Sequence, residues 1–169
     1  MSLDSIVVRW ALVLSVAVLL QVTVVSRLSV FGVHPDLILL IAVVAGLTGG
    51  PTRGAIVGFA AGCCADAYLS SRFGVSALAF TLTGYSAGVA GDTVVRPATP
   101  IWMGLSGGLS AAGVLLYAAL GHLLGASTLA DPNLLAIIGI VSVVNALLVV
   151  PAMSVARWAD QNGSVVRIR

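Results

Sequence analysis

The sequence predicts an all-α, polytopic integral membrane protein with six transmembrane helices and both termini on the cytoplasmic side. Three observations lead there. Of 169 residues, 59% are hydrophobic and 8% charged, with a mean hydropathy of +1.12. A soluble domain carries roughly 25% charged residues, so this composition does not clothe a water-facing surface. Apolar stretches of near-spanning length recur between Pro, Gly and Arg, and a bilayer needs ~20 residues of helix. No strand-like alternation persists, and an open sheet in lipid would leave backbone groups unpaired. Soluble enzymes, disordered tails and disulfide-stapled secreted domains are excluded on the same grounds. The chain is read as a single membrane domain over residues 1–169, with no room for a soluble one.

The first helix is expected at about 6–26, around an uncharged run from Trp10 to Ser26 bounded by Arg9 and Arg27. The run exceeds the apolar core of a secretory signal, and no small-x-small cleavage site follows, so it reads as a retained helix. The second, 35–50, opens at His34-Pro35-Asp36. Pro suits a first helical turn, and Asp there meets the positive end of the helix dipole. Gly49-Gly50-Pro51 stops it. The third, 53–70, and the fourth, 74–92, follow. Because the second and third are short and glycine-rich, both a spanning and a re-entrant pair remain open. The fifth, 101–125, is preceded by Pro97 and Pro100. The sixth, 133–157, opens at Asp131-Pro132-Asn133 and is expected to kink at Pro151.

Orientation follows from the arginines. With the N-terminus inside, Arg9, Arg53, Arg96, Arg157, Arg167 and Arg169 face the cytoplasm, while Arg27 and Arg72 face out. Trp10, Trp102 and Trp158 all fall at the expected cytoplasmic helix ends, the depth that indole prefers.

Catalysis needs a positioned acid, base, nucleophile or metal. The chain has no Glu and no Lys, its two His are not at ligand spacing, and no nucleophile has a base near it in sequence. No enzyme activity, metal or cofactor is expected. Single arginines and a net charge of +2 do not suggest nucleic-acid binding. Cys63 and Cys64 read as small hydrophobes of a membrane helix. No Asp or Arg stands at the expected centre of a span, which disfavours proton-coupled transport. Gln21 and Asn145, the most polar groups within the spans, read as interhelical hydrogen-bonders.

Gly54, Gly58 and Gly62 recur every fourth residue, and Asp66 continues the series. Such a stripe lets another helix backbone approach closely. Gly84 and Gly88 repeat the spacing in the fourth helix, Gly104 and Gly108 in the fifth. Two readings stay open: the stripes pack the chain's own helices, or one receives a partner's helix. Asp66 is read as a pair for Arg72, a cap for the following turn, or an acidic contact for a partner beside Asp36.

Three segments resemble the rod shape-determining protein MreD family. Pro35-Asp36-Leu37-Ile38-Leu39-Leu40 is similar to the element opening that family's second helix. The run from Gly58-Phe59 through Gly62 to Asp66 is similar to its G-F-x-x-G-x-x-x-D segment. The run Gly74 to Gly88, with Leu78, Gly84 and Tyr85, is similar to its glycine-tyrosine helix. Matching segments cover about residues 35–96. Cys63-Cys64 departs from the usual bulky aliphatics. The resemblance implies a non-enzymatic component of the elongasome, which builds lateral peptidoglycan in the bacterial cytoplasmic (inner) membrane and sets cell shape. It also implies partners: an MreC-like single-span protein, MreB, a RodA-type glycosyltransferase, a class B penicillin-binding protein and membrane lipid. For the fold it implies likeness to the six-helix S components of energy-coupling-factor vitamin transporters. A solute-binding S component is therefore the alternative function, disfavoured by the few aromatics, which make up 6% of the chain.

Overall fold

The computed structural model describes residues 3–23, 33–68, 74–94, 98–126, 128–130 and 132–160. Its regular structure is helical: α1 (Leu3–Thr23), α2 (Leu37–Tyr68), α3 (Val75–Asp92), α4 (Thr99–Leu123) and α5 (Leu134–Asp160), with a short 3-10 turn at Thr128–Ala130. Arg27, Arg72, Arg96, Arg167, Arg169, Pro97 and Asp131 lie outside the described residues.

The expectation of six separate helices is corrected to five helical elements, because the expected segments 35–50 and 53–70 join without a linker as the two arms of α2, on either side of a break at Gly50. Gly49-Gly50-Pro51 does interrupt it. Gly50 takes φ 82° and ψ 177°, a conformation open to a residue without Cβ. Pro51 suits a first helical turn, however, so the helix resumes with no linker. A straight helix would hold residues eight apart about 12 Å from each other. A Cβ on Gly54 would instead lie 2.8 Å from the Gly46 Cα. The two arms of α2 therefore fold back on each other at Gly50. This five-helix arrangement also departs from the six-helix S-component architecture that the resemblance implied.

By length and composition alone, stretches apolar enough to cross a membrane lie in α1 (Ile6–Thr23), α2 (Leu37–Ala67, counted across its fold-back), α4 (Thr99–Leu123) and α5 (Leu134–Asp160), but not in α3. The fourth expected span thus forms a helix without the apolar length of the others. Ser76 and Thr83 dilute its hydropathy, and both are buried among its small residues. One face of it lies across both arms of α2 in the largest helix-helix interface among the described residues. The fully buried Ile38, Leu39, Val43 and Val44 of the first arm meet Val141 and Val149 of α5 in one core. Between α4 and α5 the contact is polar: Asn145 Nδ2 donates to Ser110 Oγ at 2.9 Å, and Ser106 Oγ donates to the Asn145 carbonyl at 3.3 Å. Such bonds hold membrane helices together where lipid offers no hydrophobic drive. Pro151 lies within α5, which continues through it to Asp160.

Candidate functional site

The glycine stripe is filled from within the chain. A Cβ on Gly54 would meet the Gly84 carbonyl, and one on Gly58 would fall 2.8 Å from the Phe80 carbonyl carbon. At Gly62 it would run into the backbone of Ala77, and at Gly88 into Gly50 and Pro51. Real Cβ contacts are not that close. The partners fall as the second-arm number rises (54 with 84, 58 with 80, 62 with 77), so α3 runs antiparallel to that arm. The seam of Gly54, Gly58, Gly62, Gly84 and Gly88 is a backbone-to-backbone contact closed to other helices.

Asp66 ends this seam, and it is buried, with 3% of its surface exposed. Its Oδ2 accepts the N–H groups of Gly74 at 2.7 Å and Ala77 at 3.2 Å, and its Oδ1 accepts that of Ser76 at 3.1 Å. The carboxylate occupies the first turn of α3, where amides lack intrahelical partners and the dipole is positive. Gly74 holds φ 104° there, a left-handed position favouring glycine. Arg72, the partner considered for Asp66 from sequence, lies outside the described residues.

The start of α2 is built the same way. Asp36 Oδ1 accepts the Leu39 N–H at 2.9 Å. Gln21 of α1 adds a clamp: its Nε2 donates to the Pro35 carbonyl at 2.8 Å and its Oε1 accepts the Leu37 N–H at 2.9 Å. Burial pushes the Asp36 carboxyl above its usual value, against the Leu39 and Ile38 amides that pull it down. Asp36, Asp66 and Gln21 thus gather at one end of the bundle as caps.

At the opposite end stands a cluster that sequence reasoning did not assemble. Arg53 and Asp160 form an ion pair at 2.6 Å, and Trp10 Nε1 donates to Asp160 Oδ1 at 3.0 Å. Arg9 donates to the Trp158 carbonyl at 3.1 Å, its guanidinium 5.3 Å from the centroid of that indole ring. The start of α1, the fold-back of α2 and the end of α5 are thereby joined. Asp160 gave no local signal, because its partners lie over a hundred residues away in the chain.

The remaining candidates face outward. Phe59, Leu78 and Tyr85 are about half exposed, and Leu82 and Val89 extend the α3 stripe at helical spacing. Two apolar grooves flank α1. One, of about 480 Å³, runs beside Trp10, Arg53, Ile56 and Ala60. The other, of about 400 Å³, lies between α1, the first arm of α2, and Pro151 and Val155 of α5. On α4, unlike the α2–α3 seam, a Cβ on Gly104 or Gly108 would meet nothing within 4 Å. Ala112, one further step along, is exposed as well. Among the described residues, no three His, Cys or Asp come together in a metal-binding group.

Compared with known proteins, the chain is matched over residues 4–106 by the family model described as rod shape-determining protein MreD. The match runs from α1 through α3 into the first turns of α4, so it takes in the whole glycine seam and both carboxylate caps. No curated protein and no solved structure matches the chain.

Proposed function

We propose that this chain, which belongs to the rod shape-determining protein MreD family, is a scaffold of the cell-wall elongation machinery that binds the membrane helix of an MreC-like single-span protein. Cell-shape determination and membrane residence come with the family and with four helices of spanning length. The family is one of structural membrane proteins, not of enzymes. The bacterial cytoplasmic membrane, with both termini inside, is the location this reading requires. The meeting of Arg9 and Arg53 with Trp10 and Trp158 at one end supports that orientation. MreB, a RodA-type glycosyltransferase and a class B penicillin-binding protein are the further components of the proposed assembly.

The observation that carries the proposal is the contrast between the two glycine patterns. The seam of α2 and α3 is occupied by the chain itself, whereas Gly104, Gly108 and Ala112 leave a strip of α4 without side-chain bulk and with open space over both glycines. Close approach of helix backbones drives association in lipid, so this strip suits a partner's helix. The S-component alternative is disfavoured by the two larger grooves, both beside α1, whose linings are apolar.

Gly108→Leu tests the reading. A Cβ at Gly108 would meet nothing within 4 Å, so folded yield should persist while co-purification of the MreC-like protein from mild detergent falls about ten-fold. Equal recovery with wild type and Gly108→Leu, at matched membrane levels, removes α4 as the receiving face.

A further inference from the structure

A small cavity of about 200 Å³, its wall mostly apolar with a few polar groups, lies at the Asp36 end of the bundle, between the starts of α2 and α3 and the walls of α4 and α5. Its polar lining is His34, Asp36, Ser76 and Tyr117, and Phe80 with aliphatic residues of α4 and α5 forms the remainder.

Ser76 is the telling residue. It is fully buried, and its N–H is used by Asp66, yet its Oγ has no hydrogen-bond partner. On the same helix, Thr81 and Thr83 satisfy their hydroxyls on carbonyls one turn back. An unsatisfied buried hydroxyl is uncommon in native structures; among the described residues Ser142 Oγ and Asn145 Oδ1 are also unpaired, and Ser76 is the one that lines this cavity. Asp36, with one oxygen on the Leu39 N–H, keeps acceptor capacity on its carboxyl group. Tyr117 brings a hydroxyl that donates or accepts.

Charge decides the ligand class. The two helix N-termini here are already capped by Asp36 and Asp66, which leaves no unanswered charge to draw an ion. Asp36 opposes a bound anion. A neutral group carrying several hydroxyls satisfies Ser76, Tyr117 and Asp36 together, and its C–H faces suit the Phe80 wall. Drug-sized ligands occupy pockets of roughly 300–1,000 Å³, so this cavity takes something smaller. We propose that the cavity lined by Asp36, Ser76 and Tyr117 binds a neutral polyhydroxyl group the size of one sugar ring or a glycerol unit. The group arrives either free or as the headgroup of a lipid. The proposal is independent of the scaffold reading, since it involves neither α4's open strip nor a protein partner.

The test uses the full chain in phosphatidylcholine nanodiscs with two probes. Monoglucosyl diacylglycerol is followed by native mass spectrometry and methyl β-glucoside by saturation-transfer NMR. Saturable binding of the first alone identifies a lipid headgroup as the source, and of the second alone a soluble polyol; either supports the site. Ser76→Ala and Tyr117→Phe should each weaken binding about ten-fold, the effect of one hydrogen bond. Ser76→Ala should unfold no earlier than wild type, because it removes an unpaired hydroxyl. If it fails to fold, Tyr117→Phe carries the comparison. Absence of binding to both probes, unchanged affinity in the folded variants, or stronger competition by phosphatidylethanolamine than by the glucosyl lipid overturns the proposal.

Discussion

The Asp66 carboxylate accepts the Gly74 backbone N–H at 2.7 Å, so the helix arm that packs along α3 also caps it. The same group takes the amides of Ser76 and Ala77. Cap and seam depend on each other. The cap fixes where α3 begins relative to the second arm of α2, and that register brings Ala77 over Gly62, Phe80 over Gly58 and Gly84 over Gly54. The MreD match covers every residue in this arrangement.

Asp66→Asn should therefore act on folding. The amide keeps the size but turns one acceptor oxygen into an N–H2 group facing a backbone N–H. Leaving that buried pairing unmade costs on the order of 1–3 kcal/mol. The expected result is a lower unfolding midpoint in detergent and less folded protein, with partner recovery unchanged per folded molecule. A midpoint equal to wild type would show that the cap contributes nothing.

Two alanine substitutions separate seam from surface. Gly54→Ala places a methyl group 2.6 Å from the Gly84 carbonyl carbon, where only backbone is available to yield. Overpacking of this kind costs typically 1–3 kcal/mol. Gly104→Ala meets nothing and gains helix propensity of up to ~1 kcal/mol. Thermal unfolding in the same detergent should rank Gly104→Ala at or above wild type and Gly54→Ala below it. The reverse order would mean that the α2–α3 seam is looser than its backbone contacts indicate.

Much of this was legible in the residues, and the parts that were not share a cause. Helix existence followed from apolar length, and close packing along Gly54-Gly58-Gly62 followed from spacing. A cap on the following turn was one of the readings open for Asp66. Gln21 and Asn145 make the interhelical bonds that their setting suggested. The helix count differs at Gly50, where the expected stop is present but a restart signal follows at once, so the two arms join in α2 without a linker. Which glycine stripe is filled was also hidden. Gly54-Gly58 and Gly104-Gly108 have the same spacing, and only tertiary structure puts α3 on one and open space on the other. Asp160 and Ser76 escaped notice for the same reason: one gains its role from Arg53 and Trp10 far away in the chain, the other from a cavity built by four helices.

The Arg53–Asp160 pair predicts a measurable coupling at the end where α1, α2 and α5 meet. Its side chains keep 33% and 17% of their surface exposed, so solvent screens the attraction, and a pair of this kind is worth roughly 1 kcal/mol or less. Asp160→Ala removes the acceptor of both Arg53 and the Trp10 indole N–H and should be the more damaging single change. Arg53→Ala leaves the Trp10 bond in place and should cost less. In a double-mutant cycle read by thermal unfolding, the combined variant should lose less than the sum of the two. The shortfall should shrink at high salt as the ion pair is screened. Arg9, held over Trp158 and bonded to its carbonyl, is a separate link between α1 and α5, so Arg9→Ala combined with Arg53→Ala should come closer to additivity. Strict additivity of Arg53→Ala and Asp160→Ala, within about 0.3 kcal/mol, would show that the two charges are neighbours without mutual stabilisation.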